Sequence, residues 1–111
     1  MKVKTLKDVD PIEQVPGIAR KTMCYNDEAQ LCHFDMKKGS IIELHQHDAA
    51  QIGYVIKGRI EFWTDTKDNK TIVGPGDSYI FPGNVVHGAF LIKDSEVVEC
   101  FAPTREEYKN E

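Results

Sequence analysis

The stretch from Gly39 to Gly58 reads GSIIELHQHDAAQIGYVIKG. It divides into two short runs, 40–46 and 51–57, rich in the residue types that favour strands, with Asp48, Ala49 and Ala50 standing between His47 and Gln51. A strand has period two, so His45 and His47 are expected on one face, ~7 Å apart along the chain. The three-residue gap fits a tight turn into an antiparallel neighbour. Gln51 would then turn its amide oxygen toward the two imidazoles. A second piece of the same kind lies at Gly76–His87, GDSYIFPGNVVH, where His87 follows the turn residues Pro82, Gly83 and Asn84. Rolling the sheet would bring His87 to the same wall.

Working outward, strands are expected over 19–25, 29–37, 40–46, 51–57, 59–65, 70–74, 78–81, 86–92 and 95–101. Turn signals separate them, among them Asn26-Asp27, Lys57-Gly58, Asp68-Asn69 and Gly74-Pro75-Gly76-Asp77. Many short strands with Gly and Pro punctuation predict an all-β barrel or sandwich. Closure suits a small chain, because it removes strand edges with unpaired backbone groups. Two short helical turns are expected, one over Asp10-Pro11-Ile12-Glu13 and one from the capping-box pattern Thr104-Arg105-Glu106-Glu107.

Length and charge narrow the function. The 111 residues fit one domain, 41% of them hydrophobic, with a formal net charge of −4. Lys and Arg are scattered, so no nucleic-acid surface is expected. No apolar run is long enough to span a membrane. The first fifteen residues carry charges throughout and lack the apolar stretch of a signal peptide, so a cytoplasmic protein is expected. Cys24, Cys32 and Cys100 are odd in number and form no CxxC pair; they read as small buried hydrophobes. His33 sits opposite Gln30, Cys32, Phe34 and Met36 in its strand and reads as structural or surface.

Glu99 and Phe101 share a strand face, and Arg105 follows Pro103 closely. A carboxylate, an aromatic ring and a guanidinium could line the mouth of a metal pocket. On spacing alone, Arg105 could equally be a solvated helix start and Glu99 an exposed barrel-edge residue.

The segments Gly39–Gly58 and Gly76–His87 resemble the first and second motifs of the cupin family, and the likeness covers roughly residues 19–102. It implies a small single-domain double-stranded β-helix, a jelly-roll barrel over 19–103. An N-terminal arm (1–18) would precede it, and a short helical turn and tail (104–111) would follow. It also implies one divalent transition metal ion, Ni, Zn, Fe, Co or Mn, on His45, His47, Gln51 and His87. Gln51 stands where cupins usually have Glu, and Asn84 where they have Gly. Four neutral ligands would leave the ion's +2 charge uncompensated, strengthening it as a Lewis acid, attracting an anion and favouring the M(II) state.

More narrowly, His45-Gln46-His47, Gln51–Val55, Gly76–Ser78, Asn84–Gly88 and Phe101–Glu106 resemble the KdgF family of pectin-degradation cupins, from about residue 16 to 108. That family opens the ring of 4,5-unsaturated uronates from pectin or alginate to the linear keto form. By position the resemblance implies catalytic roles for Glu99 (Asp in the family), Phe101 and Arg105. It also implies a small anionic sugar-like substrate and a homodimer, in which the arm covers an edge strand or a neighbour. Two other classes compete. One is a non-catalytic module whose metal anchors a sugar or carboxylate, since fold does not fix function. The other is a metal-dependent oxygenase, disfavoured by the missing carboxylate ligand.

Overall fold

Alternation along the last strand sets the layers. Ser95, Val97, Glu99 and Phe101 are buried, and the residues between them are half-buried. The computed structural model describes residues 1–109, in which ten strands follow in order. They are β1 (Ile12–Val15), β2 (Ile18–Tyr25), β3 (Gln30–Met36), β4 (Ile41–His45), β5 (Ala50–Lys57), β6 (Ile60–Thr64), β7 (Thr66–Val73), β8 (Ser78–Phe81), β9 (His87–Leu91) and β10 (Ser95–Ala102). A six-stranded sheet, β1-β2-β3-β10-β5-β8, faces a four-stranded sheet, β4-β9-β6-β7, and the paired strands run antiparallel. This is the all-β jelly-roll barrel expected. No helix among the described residues is long and apolar enough to cross a membrane.

Register arranges the interior of the large sheet in rows. At one end Phe34, Val97 and Val55 lie side by side and, with Ile60 and Leu91 of the facing sheet, form an apolar core. The next row carries Cys32, Glu99, Gly53 and Tyr79, and the row after it Gln30, Phe101, Gln51 and Phe81. Polarity therefore rises toward one mouth of the barrel.

Local signals lose to strand pairing or tertiary contact in three places. Ile12 and Glu13 are in strand β1, opposite Arg20 and Ala19, rather than in a helical turn. The 3₁₀ turn of this region lies earlier, at Leu6–Asp8. Strand β7 begins at Thr66, four residues before the strand expected from 70, with a register break where Trp63 pairs with Lys70 and Thr64 with Thr66. Thr104 caps nothing: its hydroxyl donates to the Asn26 carbonyl, and a 3₁₀ turn follows at Glu106–Tyr108. The last two residues of the expected tail lie outside the described ones. Of the cysteines, Cys32 is fully buried and burial pushes its thiol up to about 11, whereas Cys24 and Cys100 are only half-buried.

The two site-bearing loops are fastened together. Asn84 takes the left-handed conformation expected of it, φ 66°, and its N–H donates to the His47 carbonyl at 2.8 Å. Gly83 lies so close that a Cβ there would meet the Asp48 carbonyl oxygen at 2.3 Å. We expect Asn84→Gly to keep the melting temperature of the metal-free protein. Asn84→Val should lower its stability by about 1–2 kcal/mol, the usual cost of a side chain forced left-handed. Equal melting of the two variants would refute this account of the turn.

Candidate metal centre

His45, His47 and His87 come together as the sequence implied, by a different route. Plain alternation from Ile42, which faces inward opposite Ala89, would turn His45 out. Between them β4 has a bulge: three steps on β4 match two on β9, so His45 pairs with His87 and both face inward. His47 lies beyond the end of β4, in the loop before β5, so the shared strand face expected for the pair is not what aims it. The three rings offer nitrogens within 4.8 Å of one another.

Hydrogen bonds fix which nitrogen is offered. The Nδ1 of His45 lies 2.9 Å from the Glu43 carbonyl, that of His47 2.8 Å from Ala49, and that of His87 2.8 Å from Val85. A carbonyl oxygen only accepts, so each Nδ1 carries the proton and each neutral ring presents a bare lone pair at Nε2. Gln51 Oε1 lies 3.1 Å from Nε2 of both His47 and His87. Acceptors thus face an acceptor with no hydrogen to share. Burial, then the Arg105 charge, holds His47 below its ordinary value, and burial carries His87 down to about 4, so protonation does not relieve the clash at neutral pH. A cation at the centre would turn repulsion into coordination. Neighbouring donors each about 2.1 Å from one ion are about 3 Å apart, and three imidazoles with one amide oxygen suit a divalent transition metal.

Gln51 is itself held. Its Nε2 donates to Glu99 Oε2 at 2.7 Å, and the Tyr79 hydroxyl donates to the same oxygen at 2.5 Å. Glu99 is therefore no exposed edge residue: it is 4% exposed, and burial raises its carboxyl above the usual range. Phe81 stacks on His87 at 4.3 Å and 8°, and Phe101 meets His47 edge-on at 5.9 Å.

Arg105 is half-buried rather than solvated. Gln30 clasps its backbone, accepting its N–H at 3.3 Å and donating to its carbonyl at 3.2 Å. The guanidinium lies 5.2 Å from the Phe101 ring centre and 4.0 Å from that of Tyr108, with Glu107 3.4 Å from Nε. His45, Gln51, His87, Glu99, Phe101 and Arg105 line one cavity of about 310 Å³, the size of a small-ligand pocket. His33 takes no part: it is buried in the large sheet with Nε2 2.6 Å from Glu96. Sequence reading missed Gln30, Tyr79 and Tyr108. Only Gly53, next to Tyr54 in a strand, hinted that something crosses β5 closely.

The chain matches the cupin domain family over residues 32–102. It is 30% identical over 106 residues to the pectin degradation protein KdgF of Dickeya dadantii (strain 3937), covering 93% of this chain and 94% of the relative. An oxalate decarboxylase of Arthroderma benhamiae is 36% identical over 70 residues, 60% of this chain and 16% of that one. Among solved structures, KdgF from Halomonas sp. has a TM-score of 0.89 at 28% identity, covering 98% of this chain and 99% of that one. An RmlC-like cupin from Shewanella frigidimarina has a TM-score of 0.90 at 23% identity, covering 98% and 96%.

The depressed His87 gives the metal-free fold a pH dependence. Between 6.5 and about 4 the unfolded chain binds a proton that the folded one refuses, so stability falls as pH falls through that window. The full loss is roughly 3 kcal/mol at 1.4 kcal/mol per pH unit. Thermal melts of the metal-free protein should show this slope, and His87→Gln should remove most of it. Identical pH profiles for both proteins would contradict the assignment.

Proposed function

Because the chain belongs to the cupin family, with likeness to KdgF over nearly its whole length, we propose that it is a metal-dependent enzyme that converts 4,5-unsaturated uronates to their linear keto form. The observation that carries this is the convergence of the three histidines and Gln51 Oε1 beside a cavity lined by Glu99, Phe101 and Arg105. His45, His47, Gln51 and His87 would hold the ion, whose chemistry there is that of a Lewis acid polarising a substrate oxygen.

The chain's own residues do the rest. Arg105 takes the substrate carboxylate in a two-pronged ion pair, its fork steadied by Phe101, Tyr108 and the Gln30 clasp. Phe101 supplies an apolar wall. Ring opening breaks the bond between the anomeric carbon and the ring oxygen. The anomeric hydroxyl gives up its proton and becomes an aldehyde, and the ring oxygen gains a proton and becomes an enol. That enol then loses its proton while the alkene carbon beyond it gains one, leaving the keto acid. Glu99, kept dry and fixed through Oε2, moves these protons; a raised carboxyl suits that duty near neutral pH. Glu99 rests against both Gln51 and Tyr79 through Oε2, which leaves Oε1 for proton transfer.

Freshly generated unsaturated monouronate, mixed with protein loaded with a divalent metal, should lose its alkene absorbance faster than spontaneously. Arg105→Ala should raise KM about tenfold or more, the worth of a charged hydrogen bond. No acceleration by fully loaded protein would end the enzymatic assignment, and tight uronate binding without turnover would make the protein a carrier.

We also propose that the chain forms a homodimer through the outside of its large sheet. Leu31, Cys100, Ile52 and Ile80 form one row across β3, β10, β5 and β8, with Tyr54 and Ile56 beside it. Leu31, Ile52, Tyr54, Ile56 and Ile80 expose between 42% and 60% of their surface. Together they make a patch of roughly 500 Å², near the upper limit for a monomer. Half-buried Val98 and Cys100 flank it, and polar neighbours around the patch would complete the roughly 800 Å² per partner of a stable interface. Sedimentation should give twice the chain mass, and Ile52→Lys with Ile80→Lys should halve it without loss of metal uptake. A monomeric starting protein would refute the dimer.

A further inference from the structure

We propose that Tyr79, laid across Gly53, is a positioning residue that acts through Glu99 to decide which end of the Gln51 amide meets the three imidazoles. The inference rests on Gln51 being a metal ligand. An amide has an oxygen and an NH₂ of nearly the same shape. The bare Nε2 atoms of His47 and His87 would themselves favour the wrong end, because an NH₂ turned toward them could donate to both lone pairs. Something outside the histidine set must therefore hold the oxygen inward.

Glu99 does so on the far side of the amide. Its Oε2 accepts from Gln51 Nε2 at 2.7 Å. Turning the amide over would set the Gln51 oxygen against a carboxylate oxygen and lose that bond. The lock works only while Glu99 itself stays put, and its second partner is the Tyr79 hydroxyl at 2.5 Å. Glu99, Gly53 and Tyr79 lie in one cross-strand row, on β10, β5 and β8. Tyr79 reaches over the middle strand because residue 53 has no side chain. A Cβ there would stand 2.3 Å from the Tyr79 Cζ and 2.4 Å from its hydroxyl oxygen. Contacts with Phe62, ring centres 4.5 Å apart, and Phe81, 5.8 Å apart, keep the ring in place without the hydroxyl. Gly53 and Tyr79 thus form one device for aiming a ligand that neither touches.

Tyr79→Phe keeps the ring and removes only the donor. Titration of the metal-free protein with Co²⁺, followed by its visible absorption, should show about tenfold weaker binding in Tyr79→Phe than in wild type, the usual scale for groups that orient a ligand. In a Gln51→Ala background, where no amide remains to be aimed, adding Tyr79→Phe should change Co²⁺ affinity less than about twofold. Unchanged affinity in the single variant overturns the proposal, as does a tenfold loss repeated in the Gln51→Ala background. Should Gln51→Ala weaken Co²⁺ binding while Tyr79→Phe does not, only this inference falls. Should wild type take up no Co²⁺, or Gln51→Ala bind it as tightly as wild type, Gln51 is no ligand and the inference falls with it.

Discussion

Four lone pairs pointing at one another are costly to hold together. The backbone carbonyls of Glu43, Ala49 and Val85 each claim the Nδ1 proton of a histidine, which leaves Nε2 bare. Burial lowers the basicity of His47 and His87, so protons do not fill the gap. In a loose chain the rings would turn toward water. Here they cannot, since Phe81 stacks on His87 and the loops bearing His47 and Asn84 are tied by a backbone hydrogen bond. The fold thus stores an arrangement that a central cation would stabilise, which is what preorganisation for a metal amounts to.

The barrel supplies this at one end only. Its inner rows pass from Phe34, Val97 and Val55, wholly apolar, to Glu99 with Tyr79 and then to Gln51 between two phenylalanines. The apolar end provides the cohesion that a small domain needs. The polar end can then carry a buried carboxylate, a buried amide and a buried imidazole, each with partners of its own. Such groups are tolerable in a dry interior only when hydrogen-bonded. Their pairing into one continuous network explains why so much polarity persists in so small a core.

Much of this was legible in the sequence, and what was hidden follows a pattern. Turn residues and β-branched runs marked most strands, because those signals are local. His45, His47, Gln51 and His87, which the fold brings together, were singled out by their spacing and by likeness to known motifs. The reason offered for the first two was nevertheless incomplete: a bulge in β4 and a loop, rather than simple alternation, aim the rings. The strand at Ile12 was obscured by Asp10 and Pro11, whose local preference for a helix start yields to a ladder with β2. Tyr79 and Gln30 escaped notice because their partners, Glu99 and Arg105, lie 20 and 75 residues away and only register joins them.

The substitution of an amide for the usual carboxylate ties these features together. A carboxylate at position 51 has two equivalent oxygens and would need no aiming, but beside Glu99 it would set two negative groups within hydrogen-bond distance. One of them would have to keep a proton. An amide avoids that conflict and frees Glu99 to remain a separate acid, at the cost of requiring orientation. It also leaves the full positive charge of a divalent ion to be answered by something else. Arg105 adds a further positive charge to the same cavity. With a divalent ion held there, this end of the barrel would attract small anions although the protein is negative overall. A neutral side chain at residue 51 would thereby link the buried Glu99 network to the charge of what enters the barrel.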